Sequence, residues 1–154
     1  MKPVDAWHAE HVEFKRSLAE LQREVDVFHA GGRPDYERML EILSTLRESG
    51  RRSHHPREDV AFERLAVRCP DLALTLARLQ QEHRIIAQAG ERLSALLAAA
   101  LDGAVLQRAE VEVAAAMYLV YYGNHIAHEE EDILGRAATA LSAEDWDAVR
   151  RAGR

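Results

Sequence analysis

One cysteine, Cys69, is the only thiol in the chain, which excludes an internal disulfide and any cysteine-built zinc site. Helix breakers are scarce too: 4 Pro and 8 Gly in 154 residues. With Ala, Leu, Glu and Arg recurring throughout, the composition favours helices over strands. No apolar run approaches the ~20 residues that a membrane-crossing helix needs. The stretch from Leu93 to Leu101 is about half that and still contains Ser94. Positive charge is also lacking. The net charge is -6, and pairs such as Arg51-Arg52 and Arg150-Arg151 are too short to track a phosphate backbone. Met1 to Asp5 carries no apolar stretch of the signal-peptide kind. The expectation is a single domain spanning residues 1–154, cytoplasmic, with no nucleic-acid or membrane partner.

Turns divide the chain into four long segments and a tail. The first helix is expected over about 4–29, ending at Gly31-Gly32, with a seam of His11, Phe14, Leu18, Leu21, Val25 and Phe28 in steps of three and four. The second is expected over about 35–69, kinked or broken near 50–56 by Gly50 and Pro56. The third, 71–101, has the cleanest seam: Leu72, Leu76, Leu79, His83, Ile86, Gly90, Leu93 and Leu97. The fourth runs over about 105–138, and Ser142 caps a short tail helix, 143–152. Short loops between long amphipathic helices predict an all-α, up-down-up-down four-helix bundle with a short C-terminal helix.

Histidine is the abundant exception, with 8 residues. One interrupts the apolar seam of every long helix: His11, His54 (or its neighbour His55), His83 and His125. Burying an imidazole without a partner costs roughly 1–3 kcal/mol, and one such residue would be an ordinary hydrogen-bonded core histidine. Four, one per helix, demand more. Counted along antiparallel helices at about 1.5 Å per residue, they fall at the same height within about a turn, so four imidazoles converge on one layer.

Two of them carry a carboxylate one turn on: His54 with Glu58 and His125 with Glu129, each i,i+4 and so on one helix face. A buried carboxylate needs a partner, and a cation shared with the imidazoles supplies one. Nitrogen and oxygen donors without thiolate suit iron or manganese better than a closed zinc site. Four histidines plus two bridging carboxylates exceed one tetrahedral ion, which points to a pair of ions with open positions.

At this point the sequence resembles the hemerythrin-like proteins, or HHE cation-binding domain, over nearly its whole length. The resemblance rests on Glu10-His11, on Ser53-His54-His55-Pro56-Arg57-Glu58-Asp59, on Gln81-Glu82-His83, and on His125-Ile126-Ala127-His128-Glu129-Glu130-Glu131. The stretch from Phe28 to Tyr36 also looks like bacterial members. It implies a non-haem centre of two Fe ions with oxo or carboxylate bridges, ligated at His11, His54, Glu58, His83, His125 and Glu129. It also implies chemistry with dioxygen, nitric oxide or peroxide, or iron handling. Oxygen carriers of the family have a second histidine one turn from that of the third helix. Here that position is Ala87, which argues against an identical carrier.

Further candidates lie beside these. His8 is a possible added ligand one turn before His11. His55 with Asp59 repeats the i,i+4 spacing one residue out of register, and His128 with Asp132 lies close to the face of His125 and Glu129. Tyr118, Tyr121 and Tyr122 precede the last ligands by one or two turns and could hydrogen-bond a bound small molecule. The leading functional reading is a di-iron protein that binds dioxygen or nitric oxide as sensor, scavenger or iron buffer. The alternative is an enzyme reducing nitric oxide or peroxide, or supplying iron for iron-sulfur cluster repair. No nucleophile, phosphate loop or organic-substrate pocket is legible, which favours binding.

Overall fold

A computed structural model describes residues 2–154 and contains no strand among them. Helix α1 spans Pro3–His29, α2 Tyr36–Ser49, α3 His55–Arg68, α4 Ala73–Leu101, α5 Arg108–His128, α6 Leu134–Ala140 and α7 Ala143–Ala152. The chain is an all-α bundle, as its seams predict. Helix α1 packs between α2 and α5, and α4 faces α2, α3 and α5, closing a four-cornered bundle; α7 docks along α3. No helix among the described residues is long and apolar enough to cross a membrane.

The irregularity expected near 50–56 of the second segment takes a definite form, and the fourth segment has a counterpart. Between α2 and α3 the chain neither breaks nor leaves the helix. It passes through a five-residue π-turn, Gly50–His54, and Pro56, which has no N–H to donate, follows directly at the head of α3. A second π-turn, Glu129–Ile133, joins α5 to α6. A π-turn inserts one residue into the helical repeat and re-aims the side chains around it. Both insertions sit at the ligand candidates, the first ending on His54 and the second beginning on Glu129.

Burial explains the architecture. One apolar cluster contains Leu21, Leu43, Leu93, Leu97 and Tyr118; the other contains Phe62, Leu65, Leu79, Ile133 and Trp146. The buried polar or charged residues are His11, His54, Glu58, His83, His125, Glu129 and Asp145. The first six are the sequence-derived candidates. Asp145 belongs to the tail instead: it caps α7 with Ser142 and accepts from Arg68 Nε at 2.5 Å. That anchor lays Trp146 edge-on against Trp7, centroids 6.4 Å apart.

Candidate metal centre

Three long helices and the first π-turn each contribute one imidazole to the layer: His11 from α1, His54 from the π-turn, His83 from α4 and His125 from α5. Their Nε2 atoms turn inward onto two carboxylates. Glu58 Oε1 lies 2.6 Å from His54 Nε2 and 3.2 Å from His11 Nε2, while its Oε2 lies 2.9 Å from His83 Nε2. Glu129 Oε1 lies 2.7 Å from His125 Nε2, and Oε2 lies 3.9 Å from His11 Nε2. Two clusters of donor atoms result, each compact enough for one cation: Glu58, His83, His125 and Glu129 in one, and His11, His54 and Glu58 in the other. Glu58 belongs to both.

The donors fit cations better than they fit each other. His83 Nε2, His125 Nε2, Glu58 Oε2 and both Glu129 oxygens are buried without a hydrogen-bond partner although they crowd together. Lone pairs that converge on a common point, with too few protons to share, are what a metal ion satisfies. The protonation states carry the same strain. Burial alone would drive protons off His54 and His83, but the Glu58 charge and hydrogen bonds to Glu10 and Asp59 outweigh it and lift both to about 9. Burial pushes His125 down to about 3. Burial also acts to raise Glu58, yet the His54 charge and the imidazoles around it hold it well below the usual carboxylate range. Glu129, buried beside the Glu58 charge, is pushed well above that range. Two neighbouring carboxylates are thus forced apart (one charged, one not), the expected result when like charges share a dry site without a cation.

The outward ring nitrogens reveal what sequence reasoning missed. His54 Nδ1 lies 2.5 Å from Glu10, His83 Nδ1 2.8 Å from Asp59, His11 Nδ1 3.5 Å from Glu130 and His125 Nδ1 3.7 Å from Glu82. Each acid adjoins a ligand candidate in sequence but serves the imidazole of the next helix, because consecutive helical residues point about 100° apart. The circuit runs from α1 to α3, α4, α5 and back to α1. Arg57 pairs with Glu10, and Lys15 with Glu130 at 2.9 Å, holding two of the acids in turn. Such outer carboxylates fix the tautomer and orientation of a ligating imidazole. The signal was present in Glu10-His11, Glu58-Asp59, Glu82-His83 and Glu129-Glu130. Reading it required knowing which helices are neighbours. Asp59→Asn, which leaves every inner donor in place, should weaken metal binding by about 10–100-fold, measured by competition with a chelator of known affinity.

Trp7 belongs to the site as well. Its indole N–H donates to Glu58 Oε1 at 2.8 Å, so the tail helix supports Glu58 through Trp146 and Trp7. The remaining candidates lie outside both donor clusters. His8 is 56 % exposed and only approaches Glu130 at 3.8 Å. Asp132 and Tyr121 face outward. His128 is half-buried with its Nδ1 unpartnered. His55 is packed against the centre without joining a donor cluster. Tyr118 and Tyr122 are buried, and desolvation raises both phenols above their ordinary value.

Comparison with known proteins agrees with this geometry. Residues 2–137 match the hemerythrin HHE cation binding domain family. No curated protein matches the chain.

Proposed function

Because this chain belongs to the hemerythrin HHE cation-binding family, we propose that its buried layer holds two non-haem iron ions and that it binds dioxygen or nitric oxide, as sensor, scavenger or iron buffer. The observation that carries this reading is Glu58, a single buried carboxylate shared by two donor clusters. A carboxylate with one oxygen toward His11 and His54 and the other toward His83 suits a bridge between two cations. Counted with Glu129, six donors serve two ions, which leaves positions for a small molecule. Nitrogen and oxygen donors favour iron, with manganese as the competing metal.

Bound iron supplies one-electron redox chemistry and open coordination positions. The chain supplies everything else. Apolar clusters on both sides of the layer exclude bulk water. Glu10 and Asp59 hold His54 and His83 in the tautomer that presents Nε2 inward. An open cavity of about 670 Å³ reaches His83 from the surface between α2 and α4.

The test is metal analysis of protein purified without added metal, followed by exposure of the iron(II) form to dioxygen and to nitric oxide under a spectrometer. About two irons per chain are expected on the donor count, with a spectral change that reverses when the gas is removed. Sustained consumption of nitric oxide or peroxide with a reductant would move the protein to the enzymatic reading. Fewer than about one ion per chain, or manganese alone, overturns the di-iron assignment.

A further inference from the structure

The centre leaves one half-buried imidazole without a task. His55 follows His54 directly, and in an uninterrupted α-helix the two would point about 100° apart, one of them away from the bundle. Instead the His55 ring is turned inward and stacks on His83, centroids 4.1 Å apart and planes 13° apart. Its Nε2 is buried without a hydrogen-bond partner. Two features make room for it. The π-turn Gly50–His54 widens the helix just before it. Gly50 contributes no side chain where the ring packs: a Cβ there would lie 3.1 Å from His55 Cε1 and 3.3 Å from Nδ1. A leucine would fill this space without leaving a buried polar atom unpaired.

The surroundings say what that atom could serve. His55 lines the open cavity of about 670 Å³ together with His83, Ala87, Tyr118 and Tyr122. The Tyr122 ring stands 6.0 Å from that of His55, and both tyrosine hydroxyls are buried without partners. Ala87, one turn beyond His83, adds only a methyl group to the wall. Just behind the cavity wall, on the side of the metal cluster that holds His83, therefore lie hydrogen-bonding atoms from α3 and from α5 that no protein group satisfies.

We propose that His55 and Tyr122 form the recognition site for the small ligand, offering hydrogen bonds to a molecule of two or three atoms that arrives through this cavity with acceptor lone pairs. His55 is a ligand-recognition residue and not a metal donor. This rests on the di-iron reading above. Azide, a three-atom acceptor, is the probe: the iron-loaded full chain is titrated with it spectroscopically, with metal content measured on every sample. His55→Leu and Tyr122→Phe should each raise the azide Kd by about tenfold, the equivalent of one hydrogen bond, with about two ions per chain retained. His55→Gln, which keeps an N–H at similar reach, should recover most of the loss. Tyr122→Phe removes a single hydroxyl from an otherwise unchanged ring, so it remains informative if His55→Leu folds poorly. Unchanged azide affinity in both variants overturns the proposal. So does loss of an ion from His55→Leu, which would make His55 a metal donor, or a loaded wild-type chain that takes up no azide. Wild-type protein that holds no ion defeats the underlying di-iron reading instead, and this proposal with it.

Discussion

Replacing Glu58 with Ala should empty both halves of the centre, taking metal content from about two ions per chain to less than one, while the fold stays helical. Glu58 is the donor common to both clusters; without it one cluster keeps two donors, and the other keeps three but loses the carboxylate that its surroundings hold charged. His11 and His54 alone would remain on one side. On the other, Glu129 would have to replace the bridging charge from a position where burial already pushes its carboxyl well above the usual range. The fold survives because the metal-free histidines keep other partners: His54 keeps Glu10 and His83 keeps Asp59. The expected cost to the metal-free protein is about 1–3 kcal/mol, mainly for the unpaired indole N–H of Trp7 and the enlarged void. Glu58→Gln separates shape from charge. It preserves volume and an acceptor for Trp7, yet it removes the anion that two cations would share. Gln should therefore lose metal almost as completely as Ala with less effect on Tm. Two ions per chain in either variant would remove Glu58 from the bridging role.

The same residue marks the boundary of what could be read in advance. Helix-period seams place His11, His83 and His125 inward without any knowledge of the fold, since burial of a 3.6-residue stripe is a local property of the chain. The i,i+4 spacing tied Glu58 to His54 and Glu129 to His125 for the same reason. What stayed hidden depends on relations between helices or on departures from the regular repeat. The choice between His54 and His55 could not be made because the π-turn at Gly50–His54 changes the angular count, and Gly50 reads in sequence as a breaker rather than as space for a ring. In sequence Glu130 is one of four consecutive acids, and the π-turn that begins at Glu129 sets it 3.5 Å from His11 on the facing helix. Trp7 is a core residue with one polar atom aimed at Glu58. Periodicity shows which face a residue occupies. Only packing shows which neighbour it meets.

Stripping the metal should lower Tm by roughly 8–16 °C and make the size of that loss depend on pH. The first part follows from mass action. A cation that binds only the folded chain at about a thousand times its Kd contributes about 4 kcal/mol, and a domain of this size shifts Tm by roughly 2–4 °C per kcal/mol. The second part follows from the protons that the metal must displace. In the metal-free fold, burial lowers His54 and His83, but Glu58 and the outer acids lift both from 6.5 to about 9. At neutral pH these imidazoles are therefore protonated when the metal is absent. Binding must release those protons, so apparent affinity climbs as pH rises and levels off above about 9. The sign for the metal-free protein runs the other way. A folded pKa raised above the unfolded value contributes stability in full below about 6.5 and loses it as pH rises through about 9. Raising the pH thus removes the protons that stabilise the metal-free chain and compete with the metal, so the gap in Tm widens. Calorimetry of chelator-treated and anaerobically iron(II)-loaded protein at about pH 6 and about pH 8 measures it directly. A gap that is absent, or equal at both values, would mean that the buried histidines and carboxylates stabilise one another without a cation between them.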